Sequence, residues 1–294
     1  MEPITTITPP NKKVFNYKQL VKKTLVHWSS HKPGRMSAAL SYYAAFSIVP
    51  LFIVILSFAS FFFNQAIVEA SLLSYLTHAV GEKTATFISS VMTAATSNTT
   101  FVGIAISFVS IILGVTALLN SLYTSLDILW DTKTVITKTH NKRNIFKELK
   151  NHFLVLALLP LLGLFVTAAI LANIFFSILG KIVVVGAISL TAYQVAGYIL
   201  SILLLACFFA AIYRIVPKEK FSWGAILRGS VVTAILFIFG ELLISFFIAH
   251  FANISLYGVV GSFIALLLWL FYSAQIFFIG ASCTYVLDKY MTTR

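Results

Sequence analysis

A chain of 294 residues that is 59% hydrophobic and only 10% charged, with a mean hydropathy of +0.94, is excluded from the soluble globular class, where about 25% of residues are charged. Its net charge of +12 would suit a nucleic-acid partner, but the basic residues collect in polar segments between apolar blocks of about twenty residues or more, the pattern of membrane orientation. Cys207 and Cys283 each lie inside an apolar block, which excludes a disulfide framework and a cysteine-based zinc site.

Residues 1–36 form a basic segment containing a predicted amphipathic helix. Tyr17, Leu20, Val21, Thr24, Leu25 and Trp28 recur at helical spacing, while Lys18 and Lys22 face the other way. Such a helix is expected to lie at the cytoplasmic interface as an anchor, its lysines on anionic headgroups. The first apolar block begins near Ala38, behind this segment, and is too long for the core of a cleaved signal peptide, so it is expected to remain as a span.

Residues 37–290 form one membrane domain with six predicted spans, at 39–63, 101–119, 153–180, 182–213, 229–250 and 257–287. Each is long enough, at 1.5 Å per residue, to cross a hydrocarbon core of about 30 Å. Spans three and four are separated only by Gly180, Lys181 and Ile182, which predicts a tight helical hairpin. Between spans one and two, residues 64–99 carry two helical patterns, with Val68, Leu72, Tyr75 and Leu76 before Gly81 and Phe87, Ile88, Val91 and Met92 after it. They predict an amphipathic hairpin on the outer face, which either caps a cavity or lies in the interface. Span two is expected to run on into the cytoplasm, because Leu119, Leu122, Leu126, Leu129 and Trp130 make one apolar stripe. Nineteen of the 21 lysines and arginines, among them Lys18, Lys22, Lys142 and Arg143, fall on the side of the two termini, and only Lys83 and Lys181 fall opposite. The fold class expected is therefore an all-α polytopic membrane protein with both ends in the cytoplasm.

The most informative residue is Glu241, near the middle of span five, because a carboxylate there costs about 2.5 to 3.5 kcal/mol on insertion scales. It shares a helical face with Ser230, Thr233, Ala234, Phe237, Ser245 and Ala249, a mostly small or polar set that is expected to face protein. Two roles fit: a substrate or proton site, with Gln194 and Asn173 at a similar depth, or a protonated acid that fixes helix packing by hydrogen bonding. Pro50 and Pro160 each remove a backbone hydrogen bond from a span; Pro50, Tyr42, Tyr43 and Ser245 are candidate cavity or hinge positions. The histidines His27, His31, His78, His140, His152 and His250 are read singly, none paired with another or with an acid at a ligand spacing on one helix. No metal or cofactor is expected. The acids Asp127, Asp131, Glu148 and Glu219 are scattered, and no phosphate-cradling loop, nucleophile elbow or metalloprotease motif is present, so an enzyme is not expected.

Several strings together resemble the YihY/BrkB family: Ser37-Ala38-Ala39-Leu40-Ser41-Tyr42-Tyr43 with Ser47 and Pro50-Leu51, Leu126-Asp127-Ile128-Leu129-Trp130, and Tyr213-Arg214-Ile215-Val216-Pro217. Phe221-Ser222-Trp223, Gly229, Glu241, Leu256-Tyr257-Gly258 and Leu268-Trp269 continue the resemblance. It implies a six-helix protein of the cytoplasmic membrane, in a family that has carried ribonuclease and virulence-factor labels and has members linked to lipid handling. The chain departs from that pattern at Asp127, where asparagine is expected, and at Ser282, where many members have glutamate. The function expected is transport or handling of a lipid or small envelope-related solute near Glu241. A membrane scaffold recruiting partners through Lys142, Arg143 and neighbouring basic residues is the alternative, and a ribonuclease the third reading.

Overall fold

The computed structural model describes residues 17–59, 64–96, 101–131, 190–217, 221–251 and 258–292, with single positions at 164, 165, 168 and 172. All regular structure among the described residues is α-helical: α1 (Tyr17–Ser30), α2 (Pro33–Ala59), α3 (Gln65–Val80), α4 (Glu82–Thr96), α5 (Phe101–Leu129), α6 (Leu190–Ile215), α7 (Trp223–Phe251) and α8 (Gly258–Thr292). Three stretches among the described residues, Val195–Ile215, Trp223–Leu243 and Val260–Met291, are long and apolar enough to cross a membrane. Helices α2 and α5 occupy predicted spans one and two and have 27 and 29 residues, about 40 Å each. Most of span three, its hairpin with span four, and the basic connection holding Lys142 and Arg143 lie outside the described residues.

Helix ends follow local chemistry. Pro33 opens α2, where a missing N–H costs nothing. The Asn64 side chain caps α3 by accepting from the Ala66 N–H at 2.9 Å. Gly81, at φ +83, takes the turn between α3 and α4 that a Cβ would strain. Several helices run beyond the apolar blocks: α7 begins at Trp223 and α8 reaches Thr292. With 35 residues, α8 is about 52 Å long and overshoots the hydrocarbon core.

Helix α8 is the hub, packing against α1, α2, α4, α5 and, most extensively, α7. Lipid supplies no hydrophobic drive for helices to associate, so close backbone approach must do so. The antiparallel α7–α8 seam achieves this with two facing Gly-x-x-x-Thr units. Gly229 abuts Thr284, and Gly280 abuts Thr233. Each threonine hydroxyl donates to the carbonyl of its own glycine, Thr233 to Gly229 at 2.7 Å and Thr284 to Gly280 at 3.0 Å, so neither threonine proton is stranded. From α6, the Tyr213 hydroxyl reaches into the seam, donating to the Phe277 carbonyl at 2.8 Å and lying 3.2 Å from the Thr233 hydroxyl.

The main core lies where α5, α6, α7 and α8 meet at the end nearer α1. The stripe predicted to continue span two is buried here as Leu126, Leu129 and Trp130. The Trp130 indole N–H donates to the Ala281 carbonyl at 2.9 Å, and its ring meets Tyr213 and Phe221 edge-on. Arg214 donates to the Phe221 carbonyl at 3.0 Å and covers the Trp223 ring. Asp288 of α8 accepts from both the N–H and the hydroxyl of Ser222, at 2.9 and 2.6 Å, and so places negative charge at the α7 N-terminus.

Candidate functional site

Helix α7 buries Ala225, Ile226, Gly229, Ser230, Thr233, Ala234 and Gly240 along one side and leaves Phe239, Leu242 and Leu243 exposed. Glu241, half-buried, sits at the edge of that buried stripe. Its neighbour Gly240 is pressed against Tyr272 and Ile276 of α8, so the acid lies at the level of α8 residues 272–276. The α3–α4 hairpin buries Leu76, Ala85 and Ile88 against Leu266 of α8, with Trp269 and Leu270 alongside. These α8 positions are about 3–9 Å along the axis from Tyr272, on the side away from the main core.

The other sequence-predicted positions scatter. Gln194 belongs to α6 and Ser245 to α7, but their side chains lie outside the described residues, as does Asn173 altogether. Helix α2 runs continuously through Pro50. Tyr42 and Tyr43 are exposed on α2, edge to face with each other, and Tyr42 also touches Phe46. Lys18 and Lys22 are exposed on α1.

The predicted apolar stripe of α1 is divided between a side packed on protein and a side left exposed. Thr24 is buried, and Leu20, His27 and Trp28 are half-buried, because this side docks on α8, while Tyr17, Val21 and Leu25 remain exposed. Leu20 packs against Ala225, Cys283 and Leu287, Trp28 packs against the main core, and a polar cluster closes the end of the helix. His27 and His31 stand four residues apart and pack together, ring centroids 4.5 Å apart, which corrects the expectation of unpaired histidines; the spacing of four is visible in the sequence. His31 Nδ1 lies 2.7 Å from the His27 carbonyl, and its Nε2 lies 3.4 Å from Asp131 Oδ1. The other Asp131 oxygen accepts from the Tyr285 hydroxyl at 3.1 Å. His27 stacks on Tyr285, ring centroids 4.4 Å apart. Lys289 lies over the Tyr285 ring at 4.8 Å. Two left-handed residues frame the cluster, Lys32 at φ +53 and Asp131 at φ +47.

The electrostatics follow from this crowding. Burial, helped by His31 and Lys289 and partly opposed by Asp131, lowers the His27 pKa from 6.5 to about 4. Partial burial pushes the Asp131 carboxyl upward, but its contacts with His31 and Tyr285 and the charges of both histidines prevail and hold it below its ordinary value.

Long apolar helices packed around a central one, with an acid in the α7–α8 pair and a helical hairpin over one end, define a polytopic α-helical membrane protein. The chain belongs to the family described as virulence factor BrkB, whose model matches residues 24–294. It is similar to a UPF0761 membrane protein of Actinobacillus pleuropneumoniae, 25% identical over 278 residues, which are 92% of this chain and 94% of that one. A UPF0761 membrane protein of Vibrio cholerae is 28% identical over 234 residues, 79% of this chain and 73% of the other. A Bacillus subtilis protein named ribonuclease-like, YfkH, is 28% identical over 176 residues, 58% and 60% of the two chains. No solved structure matches the chain.

Proposed function

We propose that this protein moves or handles a lipid or a small envelope-related solute in the cytoplasmic membrane, through an intramembrane site around Glu241, with both termini in the cytoplasm. One observation carries the reading: an ionisable acid is retained at the α7–α8 contact in a helix that is otherwise apolar over most of its length, at a cost of about 2.5 to 3.5 kcal/mol. The hairpin α3–α4, packed on α8 just beyond the level of Glu241, supports a covered site. The orientation rests on the lysine and arginine distribution. In this reading α1 rests on anionic headgroups through Lys18 and Lys22 and dips Tyr17, Val21 and Leu25 into the interface.

The test is native mass spectrometry of detergent-purified protein, wild type against Glu241→Gln. The expected result is a bound molecule of defined mass in the wild type that the variant lacks, with unchanged folding. An identical set of bound lipids in both proteins, or no bound molecule in either, refutes the reading. Single-cysteine variants at Ser29 and Lys83 test the orientation: an impermeant thiol reagent added to intact cells should label only position 83.

A further inference from the structure

We propose that His27, His31 and Asp131 form a binding site for a divalent transition-metal ion of the zinc class, which clips the end of α1 to the end of α5. The argument begins with protons. His31 Nδ1 lies 2.7 Å from a carbonyl oxygen, which can only accept, so Nδ1 carries the ring hydrogen. In the neutral ring, Nε2 is then a lone pair, and it faces a carboxylate oxygen that is also acceptor-only. Two acceptors face each other stably only with a cation at or between them.

A proton is one such cation, but a charge-assisted N–H···O bond closes to about 2.7–2.9 Å, and this separation is 3.4 Å. The distance matches a different occupant. With metal–ligand bonds of about 2.0–2.1 Å, neighbouring ligand atoms on a tetrahedral ion stand about 3.3–3.4 Å apart. The third ligand is at hand: both ring nitrogens of His27 are buried without a hydrogen-bond partner among the described residues. The ligand atoms of His27, His31 and Asp131 all lie within 4.8 Å of one another, so side-chain movement of about 1.5 Å at most brings them to that edge length.

The surroundings have the form of an outer shell. The His31 N–H to a backbone carbonyl and the Tyr285 hydroxyl to the distal Asp131 oxygen are the contacts that fix the orientation of ligating histidines and carboxylates. Lys289 adds an opposing positive field, but its Nζ lies over the Tyr285 ring. Two imidazoles and one carboxylate suit zinc, cobalt(II) or nickel(II) and leave a position for water. The Asp131 side chain is 61% exposed, which gives an ion and a chelator access. The inference does not depend on the transport reading, because it concerns a different part of the molecule.

The experiment uses the full chain without a histidine tag, stripped with EDTA in detergent and titrated with Co²⁺, read by visible ligand-field absorption and calorimetry. The expected result is one equivalent per chain, with the intense bands of a four- or five-coordinate ion, displaced by Zn²⁺. His31→Gln should abolish the bands. Asp131→Asn should weaken binding by about tenfold or more while leaving the turn conformation and the Tyr285 hydrogen bond available, so it separates ligation from folding. Tyr285→Phe should weaken binding about tenfold without changing the stoichiometry. Hydrogen exchange across residues 17–30 should slow when the ion binds. Absence of stoichiometric binding in the wild type overturns the proposal. So does unchanged binding in both His31→Gln and Asp131→Asn, or loss of binding on His78→Gln or His250→Gln instead.

Discussion

Gly229→Ala adds one methyl group to the α7–α8 seam. The new Cβ would stand 2.9 Å from the Thr284 Cβ and 3.0 Å from its Cα, and would overlap its hydroxyl, whereas carbon atoms rest at about 3.5–4.0 Å. The hydroxyl can rotate away, but the Cα belongs to the α8 backbone, so the two helices must part by about 0.5–1 Å. Such overpacking costs about 1–3 kcal/mol, offset by at most about 1 kcal/mol of helix propensity gained over glycine. The net loss is about 1–2 kcal/mol, several degrees in melting temperature. Gly224→Ala is the control on the same helix, because its Cβ would meet only the Met291 side chain, at 3.5 Å; it should be neutral or stabilising. The assay is thermal unfolding in detergent followed by tryptophan fluorescence, with reversible SDS unfolding for the free energies. Thr284→Gly removes the hydroxyl and Cβ contacts, so a double-mutant cycle should show favourable coupling of about 1 kcal/mol or more. A Gly229→Ala protein as stable as wild type, or a cycle with no coupling, would refute the close-approach account of the seam.

Three further outcomes are expected. In chelator-treated protein, acidification should loosen α1. Because the His27 pKa falls from 6.5 to about 4 on folding, the unfolded state binds more protons between those values, so docking is fully stabilised above about pH 6.5 and weakens as pH falls toward 4. His31, Asp131 and Lys289 face the same ring, and the lowered Asp131 pKa adds its own loss only below the ordinary carboxylate range; exchange rates across residues 17–30 that do not change with pH after correction for intrinsic chemistry would contradict this. Asp288→Ala should cost about 1 kcal/mol, because the Ser222 N–H and hydroxyl lose their acceptor at the start of α7, and a melting temperature equal to wild type would count against the capping role. Lys32→Gly should hold or slightly raise stability and Lys32→Val should lower it by about 1–2 kcal/mol, since the left-handed turn at φ +53 favours glycine and penalises a β-branched residue; equal melting temperatures would refute that ordering.

What the sequence made legible was whatever has a local period or a local break. The Leu126, Leu129 and Trp130 stripe and the Gly81 turn were readable because helical spacing and glycine punctuation act over a few residues. Span ends were less so: Trp223 and Asp288 sit outside the apolar blocks yet inside helices, where Ser222, just before Trp223, donates to Asp288 across 66 residues of sequence. The side of α7 that meets protein was marked by Ser230, Thr233 and Ala234, all buried, but the pairing with α8 was hidden because a small and polar face does not name the helix it meets. Glu241 stood out because a charge in such a helix is costly on its own. His27 and His31 carried a visible signal in their spacing of four, but Asp131 lies 100 residues from His31, and only the docking of α1 on α8 brings it in. The same docking divides the α1 stripe, a result that periodicity alone cannot anticipate.

The length of α8 has a mechanical consequence. Leu266 is packed by the hairpin at one end and Tyr285 by His27 at the other, about 28 Å apart along one unbroken rod. A rod pivoting midway through a tilt of about 10° carries each end about 2.5 Å in opposite directions. The α1 contact at Tyr285 and the hairpin contact at Leu266 therefore load the same rod, so a change in the docking of α1 and a change in the hairpin are not independent.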